Sequence, residues 1–465
     1  MFLAMDRFPP ERVAAVDDRG ASITYGELCA FPAEFAAHAL RRSVLVALCQ
    51  NCVGALAGYV ACMETEVVPL LLNAAMDPTL LQTLLDNYRP RYLWLPEPMR
   101  EAYPQYRVCF ARYGYALLDT GNALYPLYDD LGMLLCTSGS TGCSKLVRHK
   151  KDNPRVNAEH VAQFFGLHER DRAMADLPVQ YTMGLNVILS HLFVGAKVLL
   201  ASRNLMDPEF WTFFREEGAT VFTGVPFSYE VLFRLRFTEM QLPALRIIAE
   251  GGGKLTDKMF TALAEYARAT GRQFFATFGT TETTARLAYL PPELATLKTG
   301  SIGRAIPGGE LFLRDENGSV LETPVAEGEL GYRGPNVTLG YAQRREDLAK
   351  GDEFGGTYLT GDLARRDADG CYYVMGRKGR FLKLYGMRVS LDECECLIKT
   401  AFDTDCACVG DDLQMRIYVT QPQMAKDVRT YISDKTGLIS RAFEVKAISA
   451  LPKGESGKTR YAALP

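Results

Sequence analysis

The sequence predicts a layered α/β protein with a β-rich attachment and a smaller part beside it, on three observations. At 465 residues the chain is too long for one core and should divide into a large and a smaller part. Residues 11–130 alternate helical and strand-like segments, the pattern of parallel strands joined by crossover helices. Between residues 300 and 341, glycines punctuate short β segments, which suggests a small barrel or sheet joined to the layers.

In chain order, Ser22 to Leu28 reads as a strand running into a helix N-terminus. Val44 to Met63 carries no charge and is long enough to span a membrane. Gln50 and Asn51 in its middle favour a buried strand, Val44 to Cys49, followed by a buried helix. Pro90 to Pro96 is a strand closed by prolines, and Leu131 to Cys136 is an apolar strand. Further strands run through Ala219–Gly224, Arg246–Glu250 and Phe274–Phe278, and an apolar helix follows Asp176–Asn186.

Composition narrows the function classes. Hydrophobic residues make up 48% and charged residues 23%, as in an ordinary globular chain. A net charge of −3 gives no basic footprint, so nucleic acid is not an expected partner, and no membrane span is expected. Cys49 and Cys52 form a lone C-x-x-C without a second pair or a nearby histidine, so the scattered cysteines read as core thiols. That usage predicts a reducing, cytoplasmic setting.

Three stretches carry chemistry. After the Leu131–Cys136 strand comes a loop of small and hydroxyl side chains, Thr137, Ser138, Gly139, Ser140, Thr141 and Gly142, which ends on Lys145. Glycines let the backbone approach a ligand, and short hydroxyls with one cation could surround a phosphate; a polar linker is the alternative. The common P-loop is excluded, since it needs Gly-Lys-Ser/Thr and here Cys143 and Ser144 precede the lysine. The Arg246–Glu250 strand ends in Gly251, Gly252 and Gly253, a side-chain-free patch suited to a flat ligand or simply to a tight turn. The next strand delivers Phe278, Gly279, Thr280, Thr281 and Glu282 to one edge: an aromatic, a glycine, hydroxyls and a carboxylate.

These motifs, in this order, resemble the adenylate-forming superfamily of acyl-CoA synthetases, peptide-synthetase adenylation domains and firefly luciferase. The likeness runs from about Thr24 to Lys458. It implies an acetyl-CoA synthetase-like architecture: a large N-terminal domain, α/β with a small β-barrel, over residues 1–378, then a small mobile α+β domain over 379–465. It also implies a reaction. A carboxylic acid attacks MgATP, giving acyl-adenylate and pyrophosphate, and the acyl group then passes to a thiol, that of CoA or of a carrier protein's phosphopantetheine arm.

The resemblance assigns roles residue by residue. The Thr137–Lys145 loop would hold the β- and γ-phosphates, and Gly251 and Gly252 would line the adenine site. Phe278 would stack on adenine, with Gly279 and Thr280 beside it. Thr281 would bond the α-phosphate and Glu282 would hold Mg²⁺. Asp362 and Arg377 would hold the ribose. Tyr181, Gly184 and Gly253 would border the acyl pocket, although Tyr181 alone also reads as a core aromatic. Thr182 stands where amino-acid adenylation domains carry an aspartate for the substrate's α-amine, so an α-amino acid is disfavoured.

In the same frame Gly379 would be the hinge, and Lys383 to Gly386 would face the thiol. Lys458, by itself a solvated basic residue, would stabilise charge developing between carboxylate and α-phosphate. Ser144, Lys254 and Gly379 depart from the usual family residues.

Overall fold

The computed structural model describes residues 2–136, 145–384, 387–411, 413–454 and 458–465. Two large sheets dominate it. One has nine strands in the order Arg304–Ala305, Ala288–Tyr289, Gln273–Phe278, Ile247–Glu250, Val221–Gly224, Arg172–Ala175, Lys197–Leu200, Val13–Asp17 and Ser22–Thr24. Its centre is parallel from Gln273–Phe278 to Val13–Asp17, and antiparallel strands close each end. The other has eight strands, with Val44–Cys49 between Val68–Asn73 and Tyr92–Pro96 in a parallel centre.

The helices Tyr25–Ala36, Val53–Thr65 and Thr182–Phe193 lie between these sheets. One continuous core joins them to Leu45 and Ala47 of the second sheet and to Ala173 and Val198 of the first. The uncharged 44–63 stretch is therefore a strand and a buried helix, as its sequence predicts. Gly58 is required there: a Cβ would strike the indole of Trp94, whose Nε1 donates to the Gly54 carbonyl at 3.0 Å. Among the described residues no helix is long and apolar enough to cross a membrane. The outer faces are covered by Pro78–Tyr88 on the second sheet and by Pro208–Glu216, Pro226–Arg234 and Asp257–Thr270 on the first.

Local chemistry sets the helix starts. Thr24 accepts from the Glu27 backbone while Glu27 reaches back to the Thr24 amide, a reciprocal cap. Asp77 caps the helix that opens on Pro78.

The β-rich attachment is a four-stranded antiparallel sheet, Glu310–Arg314, Ala326–Arg333, Thr357–Arg366 and Tyr372–Arg377. Its edge strands do not pair with each other, so of the barrel or sheet that the glycine spacing allows it is an open sheet, and not the closed barrel that the family resemblance implies. Closure depends on pairing between strands far apart in sequence, which glycine spacing does not encode. Beyond it, a hairpin, a three-stranded sheet and the helices Leu391–Phe402 and Ala425–Thr436 enclose a separate small core that includes Cys394, Cys406 and Cys408.

Arg148 ties the Leu146–Lys150 strand to the returning chain. Fully buried, it donates to the carbonyls of Leu339, Tyr341, Lys350 and Gly351 and pairs with Glu353. Arg148→Ala would strand those carbonyls, and a loss of about 3–5 kcal/mol is expected, read as a lower urea midpoint at unchanged m-value. A change below about 1 kcal/mol would mean that water replaces the guanidinium there.

Candidate active site

The parallel strands of the nine-stranded sheet end at Thr223–Gly224, Glu250 and Phe278, and the carboxyl edge of such a sheet is where ligands bind. Gly279 and a single turn at Thr281–Thr283 follow. Gly279 has no freedom to be anything else, because a Cβ would collide with the carbonyl oxygen of Ala285. Gly279→Ala must therefore push the 280–286 loop outward. The expected result is a stability loss of about 1–3 kcal/mol, read as a lower urea midpoint; a parent-like midpoint would show that the loop yields without cost.

The carboxylate of Glu282 is held in place. Oε1 accepts from the Tyr341 hydroxyl at 2.7 Å, and Tyr341 lies 3.4 Å from the Tyr358 hydroxyl. Lys145 brings its Nζ to 3.6 Å from the centre of the Tyr341 ring. Lys145 and Glu282 thus meet on one tyrosine. The loop residues Thr137, Ser138, Gly139, Ser140, Thr141 and Gly142 lie outside the described residues; the strands Leu131–Cys136 and Leu146–Lys150 on either side of them pair antiparallel. The Thr281 hydroxyl lies 3.4 Å from that of Thr182, at the start of the Thr182–Phe193 helix.

Asp362 and Arg377 are directly opposite partners on adjacent strands, with Nε 2.9 Å from Oδ1. Asp362 is buried, and among the described residues its Oδ2 has no hydrogen-bond partner. Burial pushes its carboxyl up, only partly offset by the Arg377 guanidinium, the Thr360 hydroxyl and Lys458. Lys458 closes the group. Its outer face is open to solvent, yet dense surroundings and Arg377 lower its pKa, while Asp362 and Glu282 hold it up. The far end of the chain and two separate sheets therefore contribute to one electrostatic cluster.

The glycine turn differs from the bare patch that its sequence suggests. The protein's own side chains occupy part of it. A Cβ at Gly251 would sit 2.6 Å from the Thr277 hydroxyl, at Gly252 2.5 Å from the Tyr181 hydroxyl, and at Gly253 2.9 Å from Pro226. Gly252 also needs its glycine for a φ of +78°. Gly184 has a packing reason as well, since a Cβ there would strike the carbonyls of Leu177 and Pro178. Gly379 has open space and a φ outside the left-handed region, so this conformation does not demand glycine there. Lys383 lies on the Phe381–Leu384 strand, and Gly386 lies outside the described residues.

Tyr341 and Tyr358 escape sequence reasoning as site residues, because glycine-rich scaffold surrounds both. Arg286 escapes it too. A lone arginine predicts a solvated side chain, yet this one is buried beside Tyr181.

Two sheets meeting over a clustered lysine, glutamate, aspartate and arginine define a nucleotide-handling α/β enzyme, and the chain matches the AMP-binding enzyme family over residues 3–342. It belongs to that family. The match stops short of Asp362, Arg377 and Lys458, whose convergence is seen in the geometry. Among curated relatives, an oxalate–CoA ligase of Arabidopsis thaliana is 27% identical over 358 residues, 74% of this chain and 68% of that protein. A 2-succinylbenzoate–CoA ligase of Geobacillus kaustophilus is 30% identical over 278 residues, 60% of this chain and 55% of that protein, little more than half its length. The O-succinylbenzoate coenzyme A synthetase of Bacillus subtilis, solved with AMP, superposes with a TM-score of 0.81 at 23% identity, covering 100% of this chain and 97% of that one. That likeness establishes the fold, a large N-terminal α/β domain and a small C-terminal domain.

Proposed function

We propose that the chain is an AMP-forming acid–thiol ligase that activates a carboxylic acid with ATP and passes the acyl group to CoA. The observation that carries this is the meeting of Glu282, Asp362, Arg377 and Lys458, drawn from separate parts of the chain, at the sheet edge. The relatives' names support CoA as acceptor; a carrier protein's phosphopantetheine is the alternative.

The Oδ2 of Asp362 accepts from a ribose hydroxyl, and Arg377 keeps that carboxylate oriented. Thr137, Ser138, Gly139, Ser140, Thr141, Gly142 and Lys145 hold the β- and γ-phosphates, Phe278 stacks on adenine, and Gly251, Gly252, Gly279 and Thr280 border the nucleotide. Glu282 fits a magnesium ion carried in with ATP, because one anchored carboxylate plus phosphate oxygens is the set that ion prefers. Bound there, the ion neutralises charge between the phosphates. Thr281 donates to the α-phosphate, and Lys458 stabilises the charge that builds as the acid's carboxylate attacks and pyrophosphate leaves. Tyr181, Gly184 and Gly253 border the acid.

Residues 1–378 form the large domain and 379–465 the mobile one. Rotation about Gly379 then withdraws Lys458 and brings the Lys383–Gly386 side to the thiol. Among the described residues the buried cysteines are free thiols, which supports a reducing, cytoplasmic setting.

The test is pyrophosphate release over a panel of aliphatic and aryl acids, with and without CoA and with a holo-carrier protein. Thioester formation with CoA is the expected result. Indifference to CoA together with acylated carrier protein would reassign the acceptor, and no pyrophosphate with any acid would end the reading.

A further inference from the structure

Arg286 is a charge without a countercharge. The side chain is 1% exposed, and burial pushes its pKa down to about 10. Nη1 donates to Asn186 Oδ1, Nε lies 3.4 Å from the Thr277 hydroxyl, and the Phe165 ring centre is 5.1 Å from Cζ. Nη2 has no hydrogen-bond partner, and among the described residues no carboxylate pairs with the group. Arg148, also buried, shows what a structural role requires: a carboxylate and a full set of carbonyls. Burying an unpaired guanidinium is costly, and a ligand that brought an anionic group to it would offset that cost.

Its location names the ligand's position. The Thr277 hydroxyl that faces Arg286 Nε lies beneath Gly251, and Tyr181, which acts electrostatically on Arg286, has its hydroxyl over Gly252. The guanidinium therefore lies under the glycine turn at the acyl end of the site. Thr281, on the same loop as Arg286, faces the Thr182 hydroxyl at the mouth of the helix that Tyr181 caps.

Two carboxyls near this sheet edge also have unpaired oxygens, Asp176 Oδ1 and Glu250 Oε2, which would suit a cationic substrate. Burial pushes both toward the neutral acid, Asp176 up to about 7 and Glu250 well above the usual carboxylate range. An arginine at about 10 has no such escape at neutral pH.

We infer that Arg286 is the subsite for a second anionic group on the acid, so that the substrate is a dicarboxylic acid activated at one end and held by Arg286 at the other. This rests on the ligase reading above. A fork of two N–H donors, Nη2 foremost, would take the distal carboxylate.

The experiment compares dicarboxylic acids of increasing length with their half-amides and with ω-amino acids of equal length, scored by pyrophosphate release from the wild-type chain. The same dicarboxylates are tested as ligands by thermal shift on wild type, Arg286→Gln and Arg286→Lys. A preference of about a hundredfold in kcat/KM for one dicarboxylate over its half-amide is expected. Arg286→Gln should erase it and Arg286→Lys restore part of it. Equal turnover of half-amide and diacid, or preference for the ω-amino acid, overturns the subsite and leaves the ligase reading intact. Pyrophosphate from no acid ends the ligase reading; the thermal shift still decides whether Arg286 binds a dicarboxylate. Should Arg286→Gln fail to fold, the wild-type panel alone decides.

Discussion

Lys458→Ala should reduce pyrophosphate release from acid and MgATP by about a hundredfold to a thousandfold, the usual cost of removing one preorganised donor from developing charge. The folded state should hardly notice, because the residue is exposed overall and the charges that act on its ammonium are the site's own. Thioester formation from preformed acyl-adenylate should continue near the parent rate, because in the proposed cycle that half-reaction follows withdrawal of the lysine. An equal loss in both halves would mean that Lys458 organises the domain and not the transition state. A parent-like rate of adenylation would remove the lysine from the chemistry.

The sign of its pH dependence is set by its surroundings. Burial and the nearby Arg377 lower the Lys458 pKa, so the cation is lost at a lower pH than for a free lysine. Adenylation should fall on an alkaline limb below the ordinary lysine value, and Lys458→Arg should abolish that limb, since a guanidinium stays charged.

Much of this arrangement is legible in the sequence because it is local. The Val44–Cys49 strand and the helix after it declare themselves by an uncharged apolar run, and Thr24 with Glu27 announces a helix start. Glu282 stands in the turn that follows a strand, and Asp362 within a strand, where a carboxylate has no packing reason to be. What escapes is pairwise and distant. Tyr341 meets Glu282 across 59 residues of sequence, and Arg286 meets Asn186 across 100. Neither contact has a local pattern. The open sheet escapes for the same reason, since glycine spacing marks short β segments but not which edges pair. Gly251 to Gly253 show the converse: the pattern was visible, but the side chains of Tyr181 and Thr277 that approach it come from elsewhere in the chain.

Asp362→Asn should raise the KM for ATP by about thirtyfold or more, because a buried charge-assisted acceptor for the ribose becomes a neutral amide. The informative readout is discrimination. The parent should prefer ATP over 2′-deoxy-ATP or 3′-deoxy-ATP, and the variant should lose that preference, the signature of two groups in direct contact. Retained preference would move the ribose elsewhere. Stability should run the other way. The folded-state pKa of Asp362 is raised, chiefly by burial, so its ionised form opposes folding as pH rises through and beyond the unfolded value. A neutral amide removes that penalty, and the partner left behind, Arg377, is half-exposed and can turn to water. Asp362→Asn should therefore melt no lower than the parent at neutral pH while binding nucleotide far more weakly, as expected of a carboxylate kept for its ligand at the expense of the fold.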